Sequence, residues 1–295
     1  METEVTVILP TTGDRAAIVE IALRSIMAQT TEAFEVFIVG DGATGDSVAR
    51  LQELAAADPR IHLRLFPKGK RRGEINRHKI LTEEARGKIV AYITDRDLWL
   101  DYHLESVIAA LTDADFTHTL TLNVDTDGSI TIPRILDLSI PQHRESVAEK
   151  WRDRFGIPFS GAAHTLDAYK RLPEGWATTP TGHLTDVYMW RKFIRQPWLR
   201  AVTCFRPTYL YFRRGGFPGP PVEERRVELL HWEENIIRER SRNFQGFYEA
   251  GIDSLYRSRG KLLEKNLQLR GDLYHKAKRC FAKLLNRITS RSPGP

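Results

Sequence analysis

Short apolar segments alternate with helical segments along the first 95 residues, and this alternation is the strongest constraint on the fold. The segments are rich in β-branched residues and recur about every 27 residues, which is typical of βα units that build a mostly parallel sheet. The predicted strands are residues 5–9, 34–39, 61–66 and 88–93. The predicted helices between them are residues 14–29, a helix capped by Asp46, and residues 74–86, which end at Gly87 as a C′ glycine.

A sheet of this kind binds its ligands where the strands reach their carboxyl ends, so the loops after the first, second and fourth strands are the candidate site. Beyond residue 115 the pattern changes. Residues 116–135 predict two short strands around a turn at Asp127-Gly128, and residues 222–243 predict a helix. We therefore predict a catalytic domain over residues 1–218, with halves 1–115 and 116–218, followed by a helical extension over residues 219–295.

Charge and composition exclude several classes of protein. The chain has 295 residues and a net charge of +6, but residues 251–291 hold eleven Lys or Arg and three acidic residues, a net charge of +8. The remainder is close to neutral, which is unlike a nucleic-acid enzyme. The sequence has no apolar run that could span a membrane, its amino terminus is acidic rather than signal-like, and two cysteines build no disulfide framework. A cytoplasmic protein is expected.

Asp95 and Asp97 follow the fourth predicted strand directly. Two carboxylates at i and i+2 can share one hard divalent cation, and Mg²⁺ or Mn²⁺ held in this way keeps positions for phosphate oxygens. The alternative is a solvated turn. The position at the carboxyl end of a strand favours the metal site.

The loop after the first strand, Pro10 to Arg15, contains Thr11 and Thr12 ahead of a helix. Hydroxyl groups and free amides at a helix amino terminus favour an anion or a nucleotide, so Thr12 and Arg15 join Pro10 and Thr11 as candidate ligands of a nucleotide. An ordinary capped turn is the alternative.

The loop after the second strand matches G-x-G-x-x-G through Gly40, Gly42 and Gly45. This pattern is typical of dinucleotide binding and supports an NADP-dependent oxidoreductase as a rival hypothesis, with the basic segment 68–72 holding a 2′-phosphate. Two observations oppose it. The pattern follows the second strand rather than the first, and the Asp41 carboxylate would repel a pyrophosphate.

Asp186 lies at the start of a predicted helix, where it is either a functional acid or a plain N-cap. Nearby aromatic residues, Tyr188 and Trp190, and Trp99 after the paired aspartates, are candidates for stacking on sugar rings, with burial in the core as the alternative.

These pieces, in this order, resemble a family 2 glycosyltransferase of the GT-A fold over roughly residues 3–195. The segments that carry the resemblance are VTVILPTTGDR, ALRSIMAQTTEAFEVFIVGDGATGD, ARGKIVAYITDRDLWL and TDVYMW. The resemblance implies an α/β fold of the nucleotide-diphospho-sugar transferase type, a mixed, mostly parallel sheet with helices on both faces. It also implies an inverting transfer of sugar from a nucleotide sugar, with UDP as the expected nucleotide.

The resemblance implies a role for each matching position. Asp41 would accept the imide N–H of uracil, and Pro10 and Thr11 would complete the base and ribose site. Arg77 would reach the nucleotide. Asp95 would contact the ribose or the metal, and Asp97 would hold the cofactor, Mn²⁺ or Mg²⁺. Asp186 would be the catalytic base. The segment around Gly161 and Ala162 would line the donor sugar.

The sequence departs from the family's pattern at four positions. Gly40 replaces the first of a common Asp pair, and His78 stands where Asn is commoner. Arg96 lies between the two carboxylates, and Thr185 replaces a commoner Glu. The groups with implied chemical roles are all kept.

The partners expected from the resemblance are a nucleotide-sugar donor and a glycan or lipid-linked acceptor, with no nucleic acid. The basic segment 251–291 also has apolar residues at helical spacing, which predicts contact with the inner face of the cell membrane, homodimerisation, or packing on the catalytic domain. A non-catalytic glycan-binding or partner-binding protein on the same scaffold is a further alternative.

Overall fold

The computed structural model describes residues 2–133, 135–149, 156–214 and 219–239, together with Gln268. Its strands are β1 Val5–Gly13, β2 Phe34–Ala43, β3 Ile61–Phe66, β4 Ile89–Tyr92, β5 Leu98–Trp99, β6 Phe116–Val124, β7 Ile130–Thr131, β8 Ala162–Thr165 and β9 Ala201–Phe212. Its helices are α1 Ala16–Met27, α2 Asp46–Ala56, α3 Glu74–Glu83, α4 His103–Ala110, α5 Pro141–Glu149, α6 Leu166–Lys170, α7 Thr185–Ile194 and α8 Val222–Glu239. A single 3₁₀ turn, Phe159–Gly161, precedes β8.

The strands form one sheet in the order β3-β2-β1-β4-β8-β6-β9-β5, and β7 pairs with β6. The first four strands, β3, β2, β1 and β4, run parallel, as their alternation with helices predicts. Strand β8 is antiparallel to both of its neighbours, β4 and β6, so the second half of the sheet is mixed. The predicted α/β class is confirmed.

The sheet separates two apolar layers, because successive side chains of a strand point to opposite faces. In β1, Val7 and Leu9 pack into one layer with α1, whereas Ile8 packs into the other. That second layer is unusually aromatic, and it gathers Tyr92 and Trp190 with residues from α6 and α7. Both layers lie beneath the carboxyl edge of the parallel strands and fix the loops that leave it.

Several predicted boundaries are wrong. Strand β1 does not stop before Pro10 but continues to Gly13. It pairs with β4 only as far as Ile8, so the missing N–H of Pro10 breaks no ladder on that side. Strand β2 runs on to Ala43 and includes part of the glycine loop, and α2 is preceded by Gly45, with Asp46 already inside its first turn.

Gly87 is not the C′ residue of α3, because that helix ends at Glu83. A Cβ atom at Gly87 would lie 2.3 Å from the backbone nitrogen of Thr6. The Gly87 N–H donates to the Thr6 hydroxyl at 2.9 Å. This glycine therefore allows a loop to pass close to β1.

The predicted extension from residue 219 begins with α8, which packs on α1. The Arg24 guanidinium donates to both carboxylate oxygens of Glu233, at 2.7 and 2.6 Å. This helix belongs to the same compact unit as the sheet, and the division at residues 218 and 219 stays a prediction. The basic segment 251–291 lies, apart from Gln268, outside the described residues. Among the helices described, none has both the length and the apolar character needed to cross a membrane.

Candidate active site

The carboxyl ends of β1, β2 and β4 lie side by side, since β1 pairs in parallel with both of the others. This adjacency brings Thr11, Asp41 and the segment 94–97 to one edge of the sheet. The sequence predicts ligand binding at this edge, and the structure places most of the candidate residues there.

Asp95 is buried, and its carboxylate links the first and fourth loops. The Thr11 hydroxyl donates to Oδ2 at 3.0 Å, and a guanidinium nitrogen of Arg15 lies 3.6 Å from the same oxygen. Arg96 turns back so that its Nε lies 3.5 Å from Oδ1. Thr11, Arg15 and Asp95, each predicted to bind a nucleotide, therefore form one contact network.

Asp97 is also buried, but its partners are neutral hydroxyl groups. Ser160 donates to Oδ2 at 2.5 Å and Thr94 donates to the same oxygen at 2.8 Å. Burial raises the pKa of Asp97, and these hydrogen bonds with the charges of Arg96 and Arg225 offset only part of the rise. Among the described residues the hydrogen bonds to this carboxylate all reach Oδ2, which leaves Oδ1 for a cation.

The donor set suits a cation that takes only one or two carboxylates and completes its shell with phosphate oxygens and water. No group of three or more His, Cys, Asp or Glu side chains that could hold a metal ion exists within the described ranges. The site therefore differs from an all-protein metal cage. Buried carboxylates at positions 95 and 97 fit a metal that arrives with a diphosphate.

Asp41 lies two residues before the end of β2 and is held by the basic loop over residues 68–73. Its Oδ1 accepts from the backbone N–H of Gly69 at 2.6 Å and from the Asn76 amide at 3.3 Å, while Lys68 forms an ion pair with Oδ2. The hydroxyl of Thr12 donates to the Asp41 carbonyl at 2.7 Å. Asp41 therefore joins the first loop, the basic loop and α3.

The glycines beside Asp41 serve packing rather than phosphate binding. A Cβ atom at Gly40 would lie 2.7 Å from Leu65, and one at Gly42 would lie 2.8 Å from Lys68. Both residues lie inside β2, whereas a dinucleotide fingerprint needs them in the turn after the strand. The rival interpretation of Gly40, Gly42 and Gly45 as an NADP site is wrong.

Arg77 lies on α3 with its guanidinium buried against two aromatic rings, 5.0 Å from the ring centre of Trp176 and 5.4 Å from that of Phe159. One nitrogen donates to the Arg72 carbonyl at 2.9 Å. Nε and Nη1 have no hydrogen-bond partner among the described residues. Burial lowers the pKa of Arg77 to about 10. Buried donors without a partner are uncommon, because leaving them unpaired costs free energy.

Asp186 lies in the first turn of α7, but it is not the N-cap, because Leu184 holds that position and the helix begins at Thr185. The Val187 N–H donates to its Oδ1 at 2.9 Å, and burial raises the pKa of the carboxyl group. The charges of Arg72 and Arg77 act on it in the opposite direction. Asp186 is thus electrostatically coupled to the basic loop and to α3.

Tyr211 of β9 relates Asp186 to Asp97, and sequence reasoning missed it. Burial raises the pKa of this phenol, and the negative charges of Asp97 and Asp186 raise it further. Both carboxylates therefore lie within electrostatic reach of one partly exposed side chain. The sequence gives Tyr211 no distinguishing signal, since it is one of several aromatic residues in a strand.

Glu74 is the second residue that sequence reasoning missed. It is 1% exposed and opens α3. Its carboxylate accepts from the Arg72 and Thr179 backbones and from the Thr185 hydroxyl. An acidic residue in the first turn of a helix is common, so the sequence marks it only as favourable for the helix dipole.

Two of the predicted aromatic contacts are wrong. Trp99 and Trp190 are 1% and 0% exposed, so neither ring is available to a sugar. Trp99 stacks on His103 and donates through Nε1 to the Ser160 carbonyl at 2.8 Å, and Trp190 donates to the Ile157 carbonyl at 3.0 Å. Trp99 therefore helps to hold Ser160, whose hydroxyl donates to Asp97.

Gly161 and Ala162, predicted to line the donor sugar, are buried. A Cβ atom at Gly161 would lie 2.6 Å from the Tyr209 ring, so close packing requires a glycine. Tyr188 lies on α7 two residues from Asp186, and residues at this spacing do not face each other. Its ring lines an open cleft of about 310 Å³ with Lys192 and Arg195. Tyr188 is therefore not brought together with the other candidates.

The family model described as "Glycosyl transferase family 2" matches residues 6–163, just over half of the chain, from within β1 to within β8. The chain belongs to glycosyl transferase family 2. The matched residues include the segments that place Thr11, Asp41, Arg77, Asp95 and Asp97.

Solved structures similar to this family 2 chain share its fold. A mannosyltransferase, PcManGT from Pyrobaculum calidifontis, in complex with GDP-Man and Mn²⁺, is 20% identical with a TM-score of 0.52, over 81% of this chain and 65% of that one. S. aureus TarS 1-349 in complex with UDP-GlcNAc is 14% identical with a TM-score of 0.55, over 86% and 72%. The mixed sheet and its helices are those of a GT-A glycosyltransferase.

A curated relative, an uncharacterized glycosyltransferase of Rickettsia bellii (strain RML369-C), is 28% identical over 109 residues. That match covers 36% of this chain and 15% of the relative's length. This chain thus matches only a small part of that longer protein.

Proposed function

We propose that this protein is an inverting glycosyltransferase that moves a sugar from a nucleotide sugar, with UDP as the first nucleotide to test. The observation that carries the proposal is the arrangement of the carboxylates: Asp41 and the buried pair Asp95 and Asp97 lie at one edge of the sheet, and each site is held by hydrogen bonds. A separate carboxylate, Asp186 of α7, lies within electrostatic reach of Tyr211, as Asp97 does.

In this proposal the nucleotide binds at the carboxyl ends of β1, β2 and β4. The Asp41 carboxylate accepts an N–H of the base, with Pro10 and Thr12 beside it on β1, and Thr11 and Arg15 lie around Asp95 near the ribose. Arg77 lies within electrostatic reach of Asp41, so its positive charge favours a negatively charged nucleotide at this edge. Uracil and guanine both carry an N–H beside carbonyl oxygen, so the carboxylate alone does not separate UDP from GDP.

Asp97, with Asp95, would hold a divalent cation, Mn²⁺ or Mg²⁺. Bound there, the cation supplies Lewis-acid neutralisation of the charge that develops on the leaving nucleoside diphosphate. The solved PcManGT complex contains Mn²⁺ with its nucleotide sugar, which supports the same use in this chain. Ser160 and Thr94 hold the Asp97 carboxylate by one oxygen, so the other oxygen is the one proposed to bind the cation.

Asp186 acts as the base that takes the proton of the acceptor hydroxyl, while the anomeric carbon becomes oxocarbenium-like. One base and one displacement invert the anomeric configuration. Its raised pKa makes it a stronger proton acceptor than an ordinary aspartate, since a general base works best as its pKa approaches the working pH.

The proposed acceptor is a hydroxyl of a glycan or a lipid-linked glycan, and the proposed location is the inner face of the cell membrane. The net charge of +8 over residues 251–291 supports attraction to an anionic lipid surface. Homodimerisation through the same segment is the alternative role.

The deciding experiment is calorimetric titration of the full chain with UDP, GDP, CDP and NADP⁺, each with and without Mn²⁺. We expect UDP or GDP to bind only with Mn²⁺, and Asp97→Ala to lose that binding. Asp113→Ala is the matched control, because it removes an exposed aspartate that is not among the proposed ligands. Binding of NADP⁺ alone, or of none of the four, would overturn the proposal.

A further inference from the structure

Two segments of the chain, the basic loop before α3 and the stretch that leads into α7, donate hydrogen bonds to one buried carboxylate, that of Glu74, outside the proposed reacting groups. Oε1 of Glu74 accepts from the Thr185 hydroxyl at 3.3 Å and from the Thr179 N–H at 3.4 Å, and Oε2 accepts from the Arg72 N–H at 3.1 Å. A buried carboxylate is costly unless such donors satisfy it, so these hydrogen bonds offset part of the cost of burying the charge of Glu74.

Each of these donors belongs to a segment that carries a proposed functional group. Arg72 closes the basic loop that holds Asp41, and Thr185 precedes Asp186 in the first turn of α7. Arg77 lies one turn further along α3, and the charge of Glu74 attracts its guanidinium. Glu74 therefore contacts both the loop that holds Asp41, the proposed ligand of the nucleobase, and the segment that carries Asp186, the proposed catalytic base.

A second contact joins the same two loops. The Arg71 guanidinium donates to the His183 carbonyl at 3.3 Å, and Arg71 has a left-handed backbone with φ of 56°. The basic loop thus meets the segment before α7 twice, once at the surface through Arg71 and once in the interior through Glu74. Both contacts have one charged partner, but the contact through Glu74 is the more buried of the two.

We infer that Glu74 is a positioning residue that fixes Asp186 relative to the proposed nucleotide site at Asp41, so that binding of a nucleotide there stabilises the first turn of α7. The roles of Asp41 and Asp186 in this inference rest on the proposed function, whereas the tie between the segments does not. Small displacements of a reacting group cost about 100-fold in rate, so such a tie matters for turnover.

The first test compares hydrogen exchange in the wild-type chain and in Glu74→Gln. Glutamine offers one acceptor oxygen to three donors on two sides, so at least one donor meets an NH₂ group. We expect amides of residues 179–187 to exchange about tenfold faster in the variant, the size of one lost charged hydrogen bond. Glu83→Gln, an exposed site on the same helix, is the control and should exchange as wild type.

The second test adds UDP and Mn²⁺. In the wild-type chain the nucleotide should slow exchange over residues 179–187, and in Glu74→Gln it should bind within about threefold of wild-type affinity without slowing that segment. Thr185→Val should lose the same response and Thr185→Ser should restore it, because only the serine keeps the hydroxyl. These variants leave Glu74 in place, so they decide the question if Glu74→Gln fails to fold.

The outcomes separate the inference from the proposed function. If residues 179–187 exchange equally in wild type and Glu74→Gln, or if Thr185→Val keeps the nucleotide response, the inference is overturned. If the wild-type chain binds neither UDP nor GDP, the proposed function fails by itself, and the exchange comparison without nucleotide still decides whether Glu74 ties the segments.

Discussion

The backbone N–H of Gly69 donates to Oδ1 of Asp41 at 2.6 Å, so the basic loop closes onto the carboxylate proposed to bind the base. Lys68 reaches the other oxygen from the same loop. A carboxylate has lone pairs to spare, so a base N–H can join these donors without displacing them. The loop therefore orients the Asp41 carboxylate, and Lys68 balances part of its negative charge.

Asp41→Asn should weaken binding of UDP with Mn²⁺ by about 10- to 100-fold, the range for losing a hydrogen bond to a charged group. The asparagine NH₂ would face either the Gly69 N–H or the Lys68 ammonium, so the loop would also loosen. Calorimetry measures the affinity. Asp46→Asn, an exposed residue five positions along, should bind as wild type. Equal affinities of Asp41→Asn and wild type would remove Asp41 from the nucleotide site.

Gly73→Ala tests how tightly the loop packs on the same carboxylate. Gly73 has φ of 62°, and a Cβ atom there would lie 2.5 Å from Cγ of Asp41. Gly45 has φ of 60°, but a Cβ atom would meet nothing within 4 Å. Gly45→Ala should therefore cost only the backbone strain of about 1–2 kcal/mol, and Gly73→Ala should cost clearly more. Denaturant unfolding of both variants measures the difference, and equal losses would contradict the predicted collision.

Asp97→Asn should separate stability from metal binding. Ser160 and Thr94 both donate to one oxygen, which the asparagine amide retains, while the buried negative charge is removed. Without metal the variant should therefore unfold at the same or a higher temperature than wild type. With UDP and Mn²⁺ at about 100 times Kd, wild type should gain about 2.7 kcal/mol and the variant nothing.

Thermal unfolding with and without these ligands gives both answers. Asp113→Asn should behave as wild type in each condition. A variant that is still stabilised by UDP with Mn²⁺ would show that the metal lies elsewhere.

At Arg77, too, we expect one substitution to have opposite effects on the stability of the ligand-free chain and on nucleotide binding. Two of its nitrogens are buried without a partner among the described residues, so Arg77→Met should leave the ligand-free chain as stable as wild type or more stable. The same change should lower UDP affinity at least tenfold. Arg77→Lys should not restore it, because an ammonium lacks the planar fork that stacks between Trp176 and Phe159. Lys79→Met, exposed on the same helix, controls for charge. Full affinity in Arg77→Lys would exclude a forked contact.

The strands, their order of appearance and the loops that carry the site were predictable, because the period of apolar residues reports which backbone segments are buried. The paired aspartates were predictable for the same reason, since β4 dictates where Asp95 emerges. Contacts between distant segments were not. Nothing local distinguishes Glu74 from any acidic residue that opens a helix, and its contacts form only because the fold brings Thr179 and Thr185 to it.

The aromatic residues also show what the sequence does not reveal, which is whether a side chain is buried. Trp99 and Trp190 are suitable in type for stacking on a sugar, and only the packing of the second layer shows that both rings are enclosed. Their indole N–H groups donate to backbone carbonyls, as buried tryptophans generally require. Type and spacing predict what a residue could do, whereas burial decides whether a ligand reaches it.

Asp186→Asn should lower the turnover number by about 10²- to 10⁴-fold, the usual contribution of a general base, and leave UDP affinity within about threefold of wild type. In the wild-type enzyme the rate should fall as pH decreases through the pKa of Asp186, because only the ionised carboxylate accepts a proton. Burial raises that pKa, so the acidic limb should lie above the ordinary aspartate value of 3.8. Release of UDP from UDP-GlcNAc, or of GDP from GDP-mannose, measured from pH 4 to 9 gives the profile. Loss of turnover in Asp186→Asn with an unchanged limb would assign the titration to another group, and unchanged turnover would exclude Asp186 as the base.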